Sequence, residues 1–267
     1  MFYKNNYTVH SDTLDGGGVG HCFATRSGGV STLPETASMN TAVRMGDTPE
    51  AVAKNIALLA SYAGLDGFPV IYGRQIHSDR ILTVTPDDAG VSLEERECDG
   101  YVTDCAGIAL LVRGADCLPI LFRGEKPDGT PVIAAVHAGW RGTAARIAEK
   151  AVERMCGLGA DPKSIRTAIG PAIKSCCFQV KEDFFEAVSE STGSDFAARH
   201  ITKRDGEYYA SLQDMNIEIL EGAGVLRKNI DISPDCTAHM PELYHSHRAT
   251  GGRRGAGGGI IGIVHDK

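Results

Sequence analysis

His77, Cys117 and His137 are the residues whose types could do chemistry together. Each sits where an apolar run meets a turn. Two imidazoles and one thiolate make a suitable donor set for Zn²⁺, and three protein ligands leave a fourth position for water or substrate. The same residue types also serve nucleophilic chemistry, with Cys117 as the attacking thiolate and His137 as its base. Spacing does not choose between these readings. Long stretches of chain separate the three, whereas a short Cys-x-x-Cys paired with His-x-x-x-His would be diagnostic.

Four segments carry the candidate chemistry. Gln75-Ile76-His77-Ser78-Asp79 closes an apolar run. Gly114-Ala115-Asp116-Cys117-Leu118-Pro119 joins two more, with Gly114 and Pro119 read as a sharp preset bend. Ala135-Val136-His137-Ala138-Gly139-Trp140-Arg141-Gly142 reads as strand, turn and helix start. Free N–H groups at such a start attract anions, and Gly139, Arg141 and Gly142 would admit a phosphate. Ile169-Gly170-Pro171 fixes another turn before Cys176-Cys177, a vicinal pair read as packing residues because adjacent thiolates rarely address one ion.

The elements that must position these residues are short. Thr48-Pro49-Glu50 has helix-cap chemistry with Pro in the first turn, and Val52, Ile56, Leu59 and Ala63 follow at helical spacing. A second helix is expected over Gly142–Met155, stopped by Gly157, with weaker helices over Asp183–Val188 and Leu212–Leu220. Strands are expected at Val70–Ile76, Ile81–Val84, Ile108–Val112, Ile120–Phe122, Val132–Val136, Thr167–Ile169 and Ile260–Val264. Several of these are continuously apolar, which implies sheets covered on both faces. Pro86–Glu97 and the Pro-Asp-Gly stretch from Gly124 to Thr130 read as surface loops. The fold class is α+β: packed mixed sheets flanked by helices, with residues 1–267 as one domain.

The chain has 267 residues, 42% hydrophobic and 23% charged, which suffices for a core without disulfides. A net charge of -7 argues against a nucleic-acid partner, although Arg248, Arg253 and Arg254 cluster in a Gly-rich stretch. The N-terminus lacks an apolar signal region and no apolar run could span a membrane, so the eight Cys are read as reduced thiols of a cytoplasmic protein. The expected partners are small molecules, and a monomer is the working expectation.

The segments QIHSDRI, CDGYVTD, RGADCLPILF, AAVHAGWRGT and IGPAIKSCCFQV resemble the YfiH-type family. That family is also called the polyphenol oxidase or laccase-domain family and is regarded as a purine nucleoside phosphorylase family. The FATRSGGVS…SMNTAVRMGD block and the CT…HSHRATGGRRG ending are similar to its termini, so the resemblance runs from about Cys22 to Ile263. Two departures stand out: Ser78 where the family has Gly, and Arg248-Ala249 where it has paired Arg.

The resemblance implies a layered α/β fold and zinc held by His77, Cys117 and His137, with copper able to occupy the same donors in vitro. It also implies phosphorolysis of adenosine, inosine and S-methyl-5'-thioadenosine, with adenosine deamination besides. For phosphate we expect Arg26, Arg44 and Arg141, since a guanidinium pairs bidentately with its oxygens, joined by Asn40. For proton transfer we expect Asp99 or Asp116.

Three rival readings stand beside this one. A cysteine hydrolase would use Cys117 as nucleophile. A purine-binding protein would keep the pocket without turnover. A multicopper oxidase would hold its ions largely through His-x-His pairs, and this chain has nine His and one such pair, His245-Ser246-His247.

Overall fold

The computed structural model describes residues 1–43, 46–89 and 93–264. Arg44, expected at a phosphate, lies outside the described residues.

Two six-stranded sheets pack face to face. The first runs Phe2–Asn5, Thr8–Ser11, Val19–Ala24, Gly257–Ile263, Ala109–Gly114, Val70–Ile71 in spatial order. The second runs Ile230–Ile232, Arg166–Ile169, Leu118–Glu125, Pro131–Ala138, Gly100–Thr103, Ile81–Thr83. Most pairings are antiparallel; Val70–Ile71 with Ala109–Gly114, Arg166–Ile169 with Ile230–Ile232, and Ile81–Thr83 with Gly100–Thr103 are parallel. The sheets are therefore mixed, as the sequence implied.

The continuous apolar runs have their expected cause. Alternate residues of each central strand face alternate layers. Leu121, Ile133 and Ala135 of the second sheet meet Leu110, Val112 and Ile261 of the first. Ile120, Phe122, Val132, Ala134 and Val136 point the other way, onto the helices Ile147–Gly157 and Leu212–Gly222. Leu111 and Ile260 of the first sheet pack on Val52, Ile56 and Leu59 of the helix Pro49–Tyr62. The order is helix, sheet, sheet, helices, with the central strands of each sheet buried on both faces. At ~25 cal/mol per Å² of apolar surface, a fully buried Leu or Ile in such a layer contributes ~2 kcal/mol.

Several expected elements change at their ends. The Thr48 side chain accepts the Ala51 amide at 3.2 Å, so the first helix begins as its cap chemistry predicts. The helix expected over Gly142–Met155 is two: Trp140–Ala144 and Ile147–Gly157, broken where Arg146 adopts a left-handed φ of 59°. Strand Val70–Ile76 reduces to Val70–Ile71 and Gly73–Arg74, because the chain leaves the first sheet and pairs instead with Leu93–Glu97. That second strand lies in the stretch expected to be a loop. Pro119 sits inside strand Leu118–Glu125 rather than at a bend; the turn is made upstream, where Asp116 has φ 88°. A three-stranded sheet of Gln179–Val180, Glu207–Ala210 and Ile201–Arg204 is an addition to the elements expected from sequence.

Candidate active site

The hairpin of Leu118–Glu125 and Pro131–Ala138 sets the site. Its register places Pro119 opposite His137 and Leu118 opposite Ala138. Cys117, at the entry to one strand, therefore lies beside His137, near the end of the other. Cys117, Pro119 and Leu121 share a face with His137, Ala135 and Ile133, the face turned toward the first sheet.

His77 arrives from a separate loop, and Asp99 anchors it. The Asp99 carboxylate, fully buried, accepts the amides of Ile76, His77 and Ser78 at 3.2, 3.0 and 2.7 Å and the Ser78 hydroxyl at 2.7 Å. These bonds hold His77 at a φ of 61°, a left-handed conformation that non-glycine residues reach at a cost. Ser78, the departure from the family pattern, adds a hydroxyl to this cradle that Gly could not supply.

Asp99 also fixes the second histidine. The His137 amide donates to the Asp99 carbonyl at 2.7 Å, and His137 Nδ1 lies 2.9 Å from Asp99 Oδ1. A carboxylate on Nδ1 leaves Nε2 as the free donor atom of a neutral ring, which is how ligating imidazoles are oriented. Burial alone would raise the Asp99 carboxyl, but hydrogen bonds from His137 and Ser78 outweigh it and hold it at about 2.

The donor atoms of His77, Cys117 and His137 all lie within 4.8 Å of one another. Cys117 Sγ is 3.9 Å from His77 Nε2, and the two imidazoles meet edge to face with centroids 4.9 Å apart. Burial would raise the Cys117 thiol, yet the neighbouring imidazoles of His137 and His77 hold it below its ordinary value. His137 goes the opposite way: burial would lower it, and the Cys117 thiolate with Asp99 raises it. Without a metal this makes a thiolate beside a protonated His137; a metal, which requires the thiolate and a neutral imidazole, would displace that proton on binding.

Gly139 tests the fit. A Cβ there would stand 2.8 Å from His77 Cδ2, 3.3 Å from Cys117 Sγ and 3.6 Å from His137 Cε1. A side chain at this position would fill the space on which the three donors converge. Donor type, spacing, imidazole orientation and this clearance all fit a zinc-sized cation.

The trio borders a cleft of about 610 Å³, within the range of small-molecule sites. Tyr72, Arg74, Gln75, Arg113 and Arg254 line it alongside Val43 and Val52. Gln75 is fixed by two bonds to the Arg113 backbone, at 2.7 and 2.8 Å. The Arg113 guanidinium lies 5.2 Å from the Tyr72 ring centroid and donates to the Gly73 carbonyl at 2.7 Å.

The other expected residues stand elsewhere. Arg26 donates to the carbonyls of Pro241, Ala37 and Pro34. Asn40, buried, bonds Ala42, Asp47 and Ala256. Arg141 is exposed and stacks on Trp140 at 4.3 Å. Asp116 accepts the Thr237 hydroxyl and the Arg248 amide, both at 2.6 Å. None of these four is among the described residues lining the cleft. Both oxygens of Asp99 and of Asp116 accept from protein donors, so each holds its neighbours in place. Gly142, expected to make room for an anion, makes room for protein: a Cβ there would lie 2.9 Å from the Ser78 carbonyl. The arginines at the cleft escape the sequence reading, although Arg113 opens the RGADCLP motif and Arg254 lies in the noted basic cluster.

A mixed α/β fold with a His-Cys-His centre at a cleft defines the class. The chain belongs to the family described as multi-copper polyphenol oxidoreductase laccase, whose model matches residues 20–264. It is 30% identical to purine nucleoside phosphorylase YlmD of Bacillus subtilis, covering 90% of this chain and 87% of that one. It is 31% identical to adenosine deaminase RL5 of an unknown prokaryotic organism, covering 86% and 88%. The crystal structure of hypothetical protein YfiH from Bacillus licheniformis superposes with a TM-score of 0.87 at 29% identity, covering 98% of each chain. Among the described residues, no helix is long and apolar enough to cross a membrane.

Proposed function

We propose that this chain is a purine nucleoside phosphorylase that also deaminates adenosine, with zinc held by His77, Cys117 and His137. The observation that carries the reading is the convergence of that trio with Arg74, Arg113 and Arg254 on one nucleoside-sized cleft. The names of the relatives support it. Adenosine, inosine and S-methyl-5'-thioadenosine are the substrates it would take, with one domain carrying both activities.

In phosphorolysis a phosphate oxygen bonds C1' of the ribose as the C1'–N9 bond breaks, and the base leaves with the electron pair and takes up a proton. The guanidiniums of Arg254 and Arg113 would hold the phosphate dianion by charge-assisted bonds. Tyr72, backed by Arg113, offers a ring face for the base. When bound, zinc supplies Lewis acidity, which makes water nucleophilic near neutral pH, as attack on C6 of adenine requires. Asp99 keeps His137 in one tautomer and His77 in one backbone conformation.

Incubation with adenosine, with and without phosphate, tests the reading. Adenine and ribose 1-phosphate should appear only with phosphate, and inosine in either case. A zinc-loaded protein that forms none of these would refute it.

One observation favours a second reading. Cys117, His137 and Asp99 line up as thiolate, imidazole and carboxylate, the order of a cysteine hydrolase. Activity that persists in metal-free protein and is lost on alkylation of Cys117 would select it. A multicopper centre has less to build on: among the described residues, only two groups of donors could hold a metal.

A further inference from the structure

The second of those groups lies outside the cleft and comes from two distant stretches of chain. Cys176 and Cys177 sit in the turns before Gln179–Val180; Cys236 and His239 sit in the loop after Ile230–Ile232. The stretches are already laced together. Ala172 and Cys236 form a parallel β-bridge, the Thr237 amide donates to the Ala172 carbonyl at 3.2 Å, and Lys174 Nζ donates to the carbonyls of Ser233 and Pro234 at 3.1 and 3.0 Å.

Three thiols and one imidazole there lie within 4.8 Å of one another, and Cys176 Sγ is 3.5 Å from His239 Nδ1. Zn–S bonds of about 2.3 Å and Zn–N bonds of about 2.0–2.1 Å at tetrahedral angles set a sulfur-to-nitrogen edge of about 3.5 Å. Cys236 is buried at the base while Cys176 and His239 are exposed, so the group opens to solvent on one side. The His239 amide donates to the Cys236 carbonyl at 3.1 Å, which folds the short loop between these two donors. The vicinal pair, a packing pair by its sequence alone, is thus joined by a third thiol and an imidazole.

We propose that Cys176, Cys177, Cys236 and His239 form a second, structural metal site that takes zinc in a closed Cys₃His shell. Four protein donors leave no position for substrate, so its work is to hold structure. What it holds is the support of Cys117. The Ile173 amide donates to the Asp116 carbonyl at 2.9 Å, and the Thr237 hydroxyl donates to the Asp116 carboxylate. Arg248 closes the other side: its amide bonds Asp116 and its guanidinium donates to the carbonyls of Cys177 and Gln179 at 2.6 and 2.9 Å. A metal there clamps the two loops that grip the residue before Cys117.

The test is made in the Cys117→Ala protein, so that it is independent of what the cleft binds. Purified under reductant from zinc-supplemented cells, this protein should carry about one tightly held zinc per chain. Adding Cys176→Ser and His239→Ala should remove it. Cobalt(II) should give the first protein, and not the second, an intense thiolate-to-metal charge-transfer band. A chelator should lower the melting temperature of the first alone. Both added changes fall on exposed side chains, and circular dichroism of each protein checks the fold. Cys117→Ala protein without zinc would overturn the inference, as would zinc retained after the two further changes. A disulfide linking Cys236 to Cys176 or Cys177 in the native protein would also overturn it.

Discussion

Asp99→Asn should damage the proposed metal centre without replacing any of its three proposed ligands. The carboxylate accepts five hydrogen bonds, from three amides, one hydroxyl and His137. Asn must turn one of those acceptor positions into a donor. Placed at Oδ2, the new NH₂ would face the amides of Ile76 and Ser78, two donor–donor clashes. Placed at Oδ1, it faces one amide, that of His77, and His137 Nδ1, which can accept only if the ring changes tautomer. The second arrangement is less costly, and it moves the proton of His137 onto Nε2, the atom left for the metal. Loss of a partner in this position typically costs 10–100-fold in metal affinity, or ~1.4–2.8 kcal/mol. Leaving one buried donor unpaired should lower folding stability by a further ~1–3 kcal/mol. Chelator competition measures the first effect and denaturant unfolding of metal-free protein the second. Zinc affinity within twofold of wild type in a folded Asp99→Asn protein would refute the orienting role.

Arg254→Ala should raise the KM for phosphate by ~10–100-fold, the worth of a charge-assisted contact, with little change in melting temperature. Arg26→Ala should do the reverse, lowering stability by ~2 kcal/mol through three lost carbonyl bonds while KM holds; a phosphate effect there would return Arg26 to the site. Gly139→Ala should weaken zinc binding by ~10-fold or more, because its Cβ would press on His77 and Cys117; chelator competition at wild-type affinity would show that the donors do not close on that space. Burial lowers His21 and His245 from 6.5 to about 4. Both are depressed bases, so their contribution to stability is whole above pH 6.5 and is lost as pH falls toward about 4, by ~3 kcal/mol each. Denaturant unfolding across that range should show a shallower slope in His21→Gln, and a slope equal to wild type would contradict the assignment.

How much of this was legible turns on range. The cap at Thr48, the strands around Ile108–Val112 and Val132–Val136, and the coverage of both sheet faces follow from local pattern, and all appear. The break at Arg146 and the departure of the chain from the first sheet after Ile71 depend on distant partners, and periodicity carries no trace of them. The sites divide the same way. Cys117 and His137 stand at strand ends, where reactive groups are exposed by rigid elements, so each could be singled out. Arg26 and Asn40 look equally polar and equally placed, and only the fold shows that both are bonded to other parts of the protein and stand outside the lining of the cleft. Cys236-Thr237-Ala238-His239 has the spacing of a short ligand pair, a signal present in the sequence that gains meaning only beside Cys176 and Cys177.

One local feature does reach as far as the proposed metal centre. The Pro-Asp-Gly turn reads as a loop in the sequence, and it is the tip of the central hairpin. The Thr130 amide bonds Asp128 Oδ1 at 2.9 Å, Gly129 takes a φ of 87°, and Glu125 is opposed by Pro131. From that pairing the ladder runs without a bulge to Pro119 opposite His137. Side chains alternate faces at every residue, so a slip of one at the tip would turn His137 away from Cys117 and toward the outer helices. The chemistry of the centre therefore rests on a turn at the far end of the ladder, and that turn is readable because Gly129 occupies a backbone conformation that other residues enter only at a cost.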